Sequence, residues 1–235
     1  MGRADGGRDE DSISGSPEDL PGAPPVLGAL ALFACTLAAG ALIQSAAAAS
    51  LLGGHGTVVF AALWLYAPIA ALQLAGRDLA AHGFTLRQRP GSARLFALCL
   101  LLLVPYTPLV AIWLPLVQGR AFHPAIPPDF AALLLHQLLV VALPEEAFFR
   151  GYLQSRFNEG RKPWRLFGLE LGPGLVASSA LFALAHLVLR RDPRTLGVFF
   201  PGLVFGYLRQ QTGSIALPVV YHAVCNLYLF IAAAG

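Results

Sequence analysis

Two adjacent carboxylates, Glu145 and Glu146, stand inside an apolar run that opens near Phe130 and is long enough to enter a bilayer. Carboxylates are costly there unless they have a partner, a proton or a chemical task. Helical spacing offers one of them a partner. Glu146 and Arg150 are four apart and share a face, whereas Glu145 lies about 100° further round. One carboxylate can be neutralised while the other stays free for chemistry. Two later apolar segments carry polar groups that could meet it: His186, one turn after Phe182, and His222 with Asn226 one turn beyond.

Hydrolysis of a peptide bond needs a water made nucleophilic and donors for the tetrahedral oxyanion. Glu145 could take the water's proton, while His186 holds the same water and passes the proton to the leaving amine. His222 and Asn226 project from one face and could supply the oxyanion donors. The same groups have plainer readings. Glu146–Arg150 could be a structural ion pair, His186 a core histidine, and His222 with Asn226 an interhelical tie. A non-catalytic membrane scaffold or a proton-coupled transporter could use this cluster too. Zinc held by Glu145, His186 and His222 is a further alternative. HExxH is absent, as are a GxSG motif and paired aspartates, and no cofactor is expected.

The elements that must position these residues are read from composition. The chain is 56% hydrophobic and 12% charged, with a mean hydropathy of +0.64, against about a quarter charged in soluble domains. That predicts an all-α, polytopic transmembrane bundle of about seven helices, six to eight, over residues 25–235, behind a disordered polar tail at 1–24. The expected spans are 25–52, 57–75, 93–117, 130–152, 172–189, a shorter segment at 195–208, and 215–234. Pro105, Pro108 and Pro115 predict a kinked or broken third span. His55 reads as a loop residue and His136 as structural. Cys35, Cys99 and Cys225 are single and widely spaced, which argues against disulfides.

The net charge of +3 comes from basic clusters between apolar runs, the pattern of membrane topology and not of a nucleic-acid partner. Arginine bias puts the 76–94 and 150–170 loops in the cytoplasm and the 53–56 and 118–129 loops outside. Strict alternation then places Arg190, Arg191 and Arg194 outside, against the rule. Either a neighbouring segment does not fully span, or that turn is an exception. Depths are compatible with one site: Glu145, His186 and His222 lie roughly 16, 20 and 13 Å from the basic end.

Glu145-Glu146 with Arg150, Phe182 with His186, and His222 with Asn226 resemble the three ordered motifs of the CPBP family. These are the CAAX-prenyl-endopeptidase-like and bacteriocin-processing intramembrane proteases. Phe200-Pro201-Gly202-Leu203-Val204-Phe205-Gly206-Tyr207, through Gly213-Ser214, resembles the connector before the last motif. The match covers residues 130–230. The resemblance implies a helical membrane fold and glutamate-dependent endopeptidase activity. Glu145 with His186 would activate water, Glu146 and Arg150 would brace the site, and His222 with Asn226 would bind the oxyanion. The implied partners are the lipid bilayer and a membrane-tethered protein or peptide substrate. High Ala, Gly, Arg and Leu content suits a GC-rich bacterial genome, which argues against a prenyl substrate and puts the protein in a bacterial inner membrane; some bacterial relatives resemble myxosortase-type enzymes that trim C-terminal anchor tails.

Overall fold

The computed structural model describes residues 25–45, 50–166 and 169–233 of the 235-residue chain. The tail expected at 1–24 lies outside them. Helices α1 (Pro25–Ile43), α2 (Gly56–Leu74), α3 (Ser92–Gln118), α4 (Phe130–Asn158) and α5 (Pro173–Arg190) are each long and apolar enough to cross a membrane. The shorter α6 (Phe199–Thr212) and α7 (Ala216–Ala232) follow. This is the polytopic helical bundle that composition predicts, and the chain is an integral membrane protein. α3 is the most lipid-facing span, with Leu101, Val104, Leu109 and Leu116 all exposed, as a helix apolar all round should be when no protein covers it.

Hydrogen bonds fix which loops share an end of the bundle. Arg89 N–H donates to the Thr212 carbonyl and Ile215 N–H to that of Gly83, both at 3.0 Å. His82 and Arg77 approach Glu159 at 3.7 and 3.8 Å, so the 76–91 loop, the end of α4 and the α6–α7 turn lie together. At the opposite end, Arg194 Nη1 donates to the Val117 carbonyl at 2.9 Å, and His123 N–H to that of Ala232 at 2.9 Å. The turn after α5 therefore sits beside the 119–129 loop, as alternation requires. It is an exception to the arginine bias. Asp192 accepts from Arg194 Nε through both oxygens at 2.9 Å, and this hydrogen bond holds its carboxyl below the ordinary range. One positive charge there is thereby cancelled. α6 is too short to cross alone, but a 3₁₀ segment, Pro193–Val198, precedes it. Together they extend about 33 Å.

α4 is held from behind by aromatic packing. Trp64 of α2 stacks on Phe148 with ring centroids 5.6 Å apart and meets Phe149 edge-on at 5.1 Å. Phe33 of α1 lies 6.5 and 6.2 Å from the same two rings. Both phenylalanines are fully buried. On the other side, Tyr221 of α7 donates its hydroxyl to the Cys99 carbonyl of α3 at 2.8 Å.

Proline shapes two of the spans. Pro144 has no N–H to give and its ring crowds the carbonyl one turn back. A widened π-type turn at Gln137–Ala142 comes immediately before the short α turn Leu143–Glu146, and a second runs over Ala147–Leu153. The glutamates thus sit on a narrow turn between two wide ones. In α3 the kink expected from the prolines is a break at Leu102 and a wide turn at Leu114–Gln118 that holds Pro115.

One element was not anticipated. Strands β1 (Trp164–Leu166) and β2 (Leu169–Leu171) pair antiparallel, with Trp164 opposite Leu171 and Arg165 opposite Glu170. Arg165 and Glu170 form an ion pair at 2.7 Å on one face, and the apolar residues alternate onto the other.

Candidate active site

Glu146 and Arg150 are both 0% exposed. Arg150 Nη1 donates to Glu146 Oε1 at 3.0 Å, the pairing that their spacing predicts. Its second arm donates to the Gly202 carbonyl of α6 at 3.1 Å. The guanidinium also lies over the rings of Phe182 and Phe205, 4.5 and 5.2 Å from their centroids, a cation–π arrangement strengthened by exclusion of water. Each part of this buried cation faces an acceptor or an electron-rich face, except Nε.

His222 joins from α7. Its Nδ1 lies 2.8 Å from Glu146 Oε1, and its ring stacks on Phe205 with centroids 4.7 Å apart. A carboxylate paired with arginine has no proton to give, so Nδ1–H is the donor. That fixes the ring and aims Nε2 toward Glu145, whose Oε2 lies 3.7 Å away.

Glu145 differs from its neighbour. Its Oε2, like that of Glu146, is buried without a hydrogen-bond partner among the described residues, but 16% of its side chain remains exposed, against 0% for Glu146. His186, half-buried, is anchored through Nδ1, 3.0 Å from the Phe182 carbonyl. Nδ1–H donates to this acceptor, and Nε2 is left as the free ring nitrogen. The His186 ring lies 4.5 Å from that of Phe182, which itself stands 5.9 Å from the His222 ring. Glu145 and His222 both lie in the electrostatic surroundings of His186. The structure therefore brings Glu145, Glu146, Arg150, His186 and His222 into one layer.

Asn226 sits one turn beyond His222 and donates from Nδ2 to Gln137 Oε1 at 2.9 Å. Gln137 is 4% exposed and was missed by sequence reasoning. The signal was available: a half-buried amide on α7 needs a partner, and Gln137 is a polar residue within the apolar run of the glutamate helix. Its neighbour His136, the more conspicuous residue, is exposed. Also missed was a ladder between α4 and α6. Gln154 Nε2 donates to the Gly206 carbonyl at 2.9 Å, one turn below the Arg150–Gly202 bond. A Cβ at Gly206 would stand 3.0 Å from Gln154 Oε1 and 3.1 Å from Leu175 Cγ. Glycine is what lets the backbones approach.

The zinc alternative is tested by donor geometry. Among the described residues no three His, Cys, Asp or Glu side chains converge closely enough to hold a metal ion. Glu145, His186 and His222 form no such group, and His222 Nδ1 is already engaged by Glu146.

No curated protein and no solved structure matches the chain. A family model does match residues 127–228: Rce1-like, type II CAAX prenyl endopeptidase. That stretch holds the carboxylate pair, Arg150, both histidines, Asn226 and Gln137, and it carries the expected resemblance through the whole site. Residues 127–228 are thus similar to the Rce1-like type II CAAX prenyl endopeptidases.

Proposed function

We propose that the chain hydrolyses a peptide bond near the membrane in a membrane-tethered substrate, with Glu145 and His186 activating the water. The observation that supports this most is the inequality of the two carboxylates. Glu146 is wholly buried and its Oε1 is engaged by Arg150 and His222, whereas Glu145 is partly accessible and neither of its oxygens accepts such a bond among the described residues. A base needs that freedom.

The remaining roles follow from position. Arg150 balances Glu146. An Nε2–H of His222, on the edge that faces Glu145, would be one oxyanion donor. The Asn226 amide has a second N–H beyond the one given to Gln137, and would be the other. In the reaction, Glu145 takes a proton from water as the oxygen attacks the carbonyl. The oxyanion collapses, the C–N bond breaks, and the proton passes by way of His186 to the leaving amine.

The substrate we propose is a protein whose C-terminal tail is tethered in the bacterial inner membrane, in the manner of an anchor or sorting tail. The test compares protein termini in membranes of cells carrying wild-type chain or Glu145→Gln at matched expression. Defined substrates should keep their tails only with the variant. Identical termini in wild-type, variant and deletion cells would point to the scaffold or transporter.

A further inference from the structure

A polar cavity of about 480 Å³ opens at the end of the bundle where the 76–91 loop, the end of α4 and the α6–α7 turn meet. It is distinct from the carboxylate layer. Gln154, hydrogen-bonded to Gly206, lies between the two. Three arginines line it: Arg89, Arg161 and Arg209. Arg209 is 8% exposed, yet its Nε has no partner among the described residues. Its Nη2 has a long bond of 3.3 Å to the Ala81 carbonyl. Gly83, at φ +87°, lets the loop close over this guanidinium, and a Cβ there would collide with it.

A buried guanidinium with no carboxylate is expensive. Arg89 adds a like charge within its electrostatic reach. Two acids also line the cavity, but neither serves Arg209. Glu159 accepts from Arg156 at 2.7 and 2.8 Å, and Glu170 accepts from Arg165 at 2.7 and 3.1 Å. Arg89 and Arg161 form no ion pair among the described residues. Each gives one N–H to a carbonyl, of Gln210 and Phe157, and keeps further N–H groups. The cavity thus combines an excess of positive charge with donors that lack acceptors, one of them buried.

We propose that this cavity is a phosphate-binding site in which Arg209 and Arg89 grip the oxyanion. Planar guanidinium forks suit phosphate oxygens. The location suits two sources, a free phosphate and the headgroup of an anionic phospholipid, because the basic end of a bundle faces the anionic cytoplasmic leaflet.

The test uses the full chain. In neutral detergent, thermal unfolding is followed with inorganic phosphate and with chloride at matched ionic strength. In parallel, the chain is placed in phosphatidylcholine nanodiscs with and without phosphatidylglycerol. Arg209→Gln and Arg89→Gln are each expected to weaken phosphate affinity by about tenfold or more, whereas Arg194→Gln, at the opposite end of the bundle, should not. Arg89 is exposed, so its variant carries the test should Arg209→Gln fail to fold. Stabilisation by inorganic phosphate that the arginine variants lose supports the free ion as source. Stabilisation only by phosphatidylglycerol, again lost in the variants, supports the lipid. No response to either, or a response that both variants keep, overturns the proposal. Loss of the peptidase reading would leave it standing.

Discussion

His222 holds Nδ1 2.8 Å from Glu146 Oε1, the same oxygen that accepts from Arg150. Two side chains from different helices therefore depend on one carboxylate oxygen, and α7 is locked to α4 through it. The neighbouring Glu145 only approaches it, with Oε2 3.7 Å from His222 Nε2.

Exchanging the two glutamates for glutamine should accordingly have different effects. Glu146→Gln leaves Arg150 buried without its counter-charge, with an expected loss of about 3–5 kcal/mol of stability. Replacing both members by apolar residues of similar size should recover much of that loss. Glu145→Gln should keep the wild-type unfolding temperature and lose turnover. Unfolding curves in detergent, alongside cleavage of a membrane-tethered substrate, would separate the two. Equal destabilisation by both variants would contradict the assignment.

Gln137 positions Asn226 and has no other described hydrogen bond. Gln137→Ala should lower kcat by up to about tenfold, the value of one neutral hydrogen bond, while KM stays unchanged. A purely structural role would instead lower the unfolding temperature and leave kcat alone.

Gly206→Ala should cost about 1–3 kcal/mol by overpacking against Gln154 and Leu175. Gly197→Ala is the control, since nothing lies within 4 Å of a Cβ there. Paired unfolding temperatures decide the matter. A Gly206→Ala protein as stable as the control would mean that α4 and α6 are free to separate.

Single cysteines placed at Arg161 and Arg194 should react with an impermeant thiol reagent from opposite sides of a sealed vesicle, in a background lacking Cys35, Cys99 and Cys225. Labelling of both from one side would rule out a crossing by α5 and, since the α6–α7 turn lies at the end of the bundle that holds Arg161, the return crossing by the 3₁₀ segment and α6.

Much of the site was legible before any coordinates. Glu146 and Arg150 declare their pairing by a four-residue step, and depth counting put His186 and His222 at the level of Glu145. Other features depend on which helices touch, and periodicity along one helix does not record that. The Gln137–Asn226 bond and the carbonyls of Gly202 and Gly206 belong to this class. The exception at Arg194 was hidden for a different reason. Counting charges does not register that Asp192 neutralises one and the Val117 carbonyl holds an arm of the same side chain. The paired strands Trp164–Leu166 and Leu169–Leu171 were too short for their alternation to stand out from a basic loop.

The wide turns on either side of Leu143–Glu146 make the number of residues in α4 as meaningful as their types. A π-type turn arises when an α-helix takes in one extra residue. Removing a residue from Gln137–Ala142 would restore ordinary winding and rotate everything upstream by about 100° relative to the glutamates. Gln137 would swing away from Asn226 while every chemical group in the layer remained present. For this helix a single-residue gap in an alignment of relatives is a statement about geometry, and chains that differ by one residue there should differ in the side chain that faces α7.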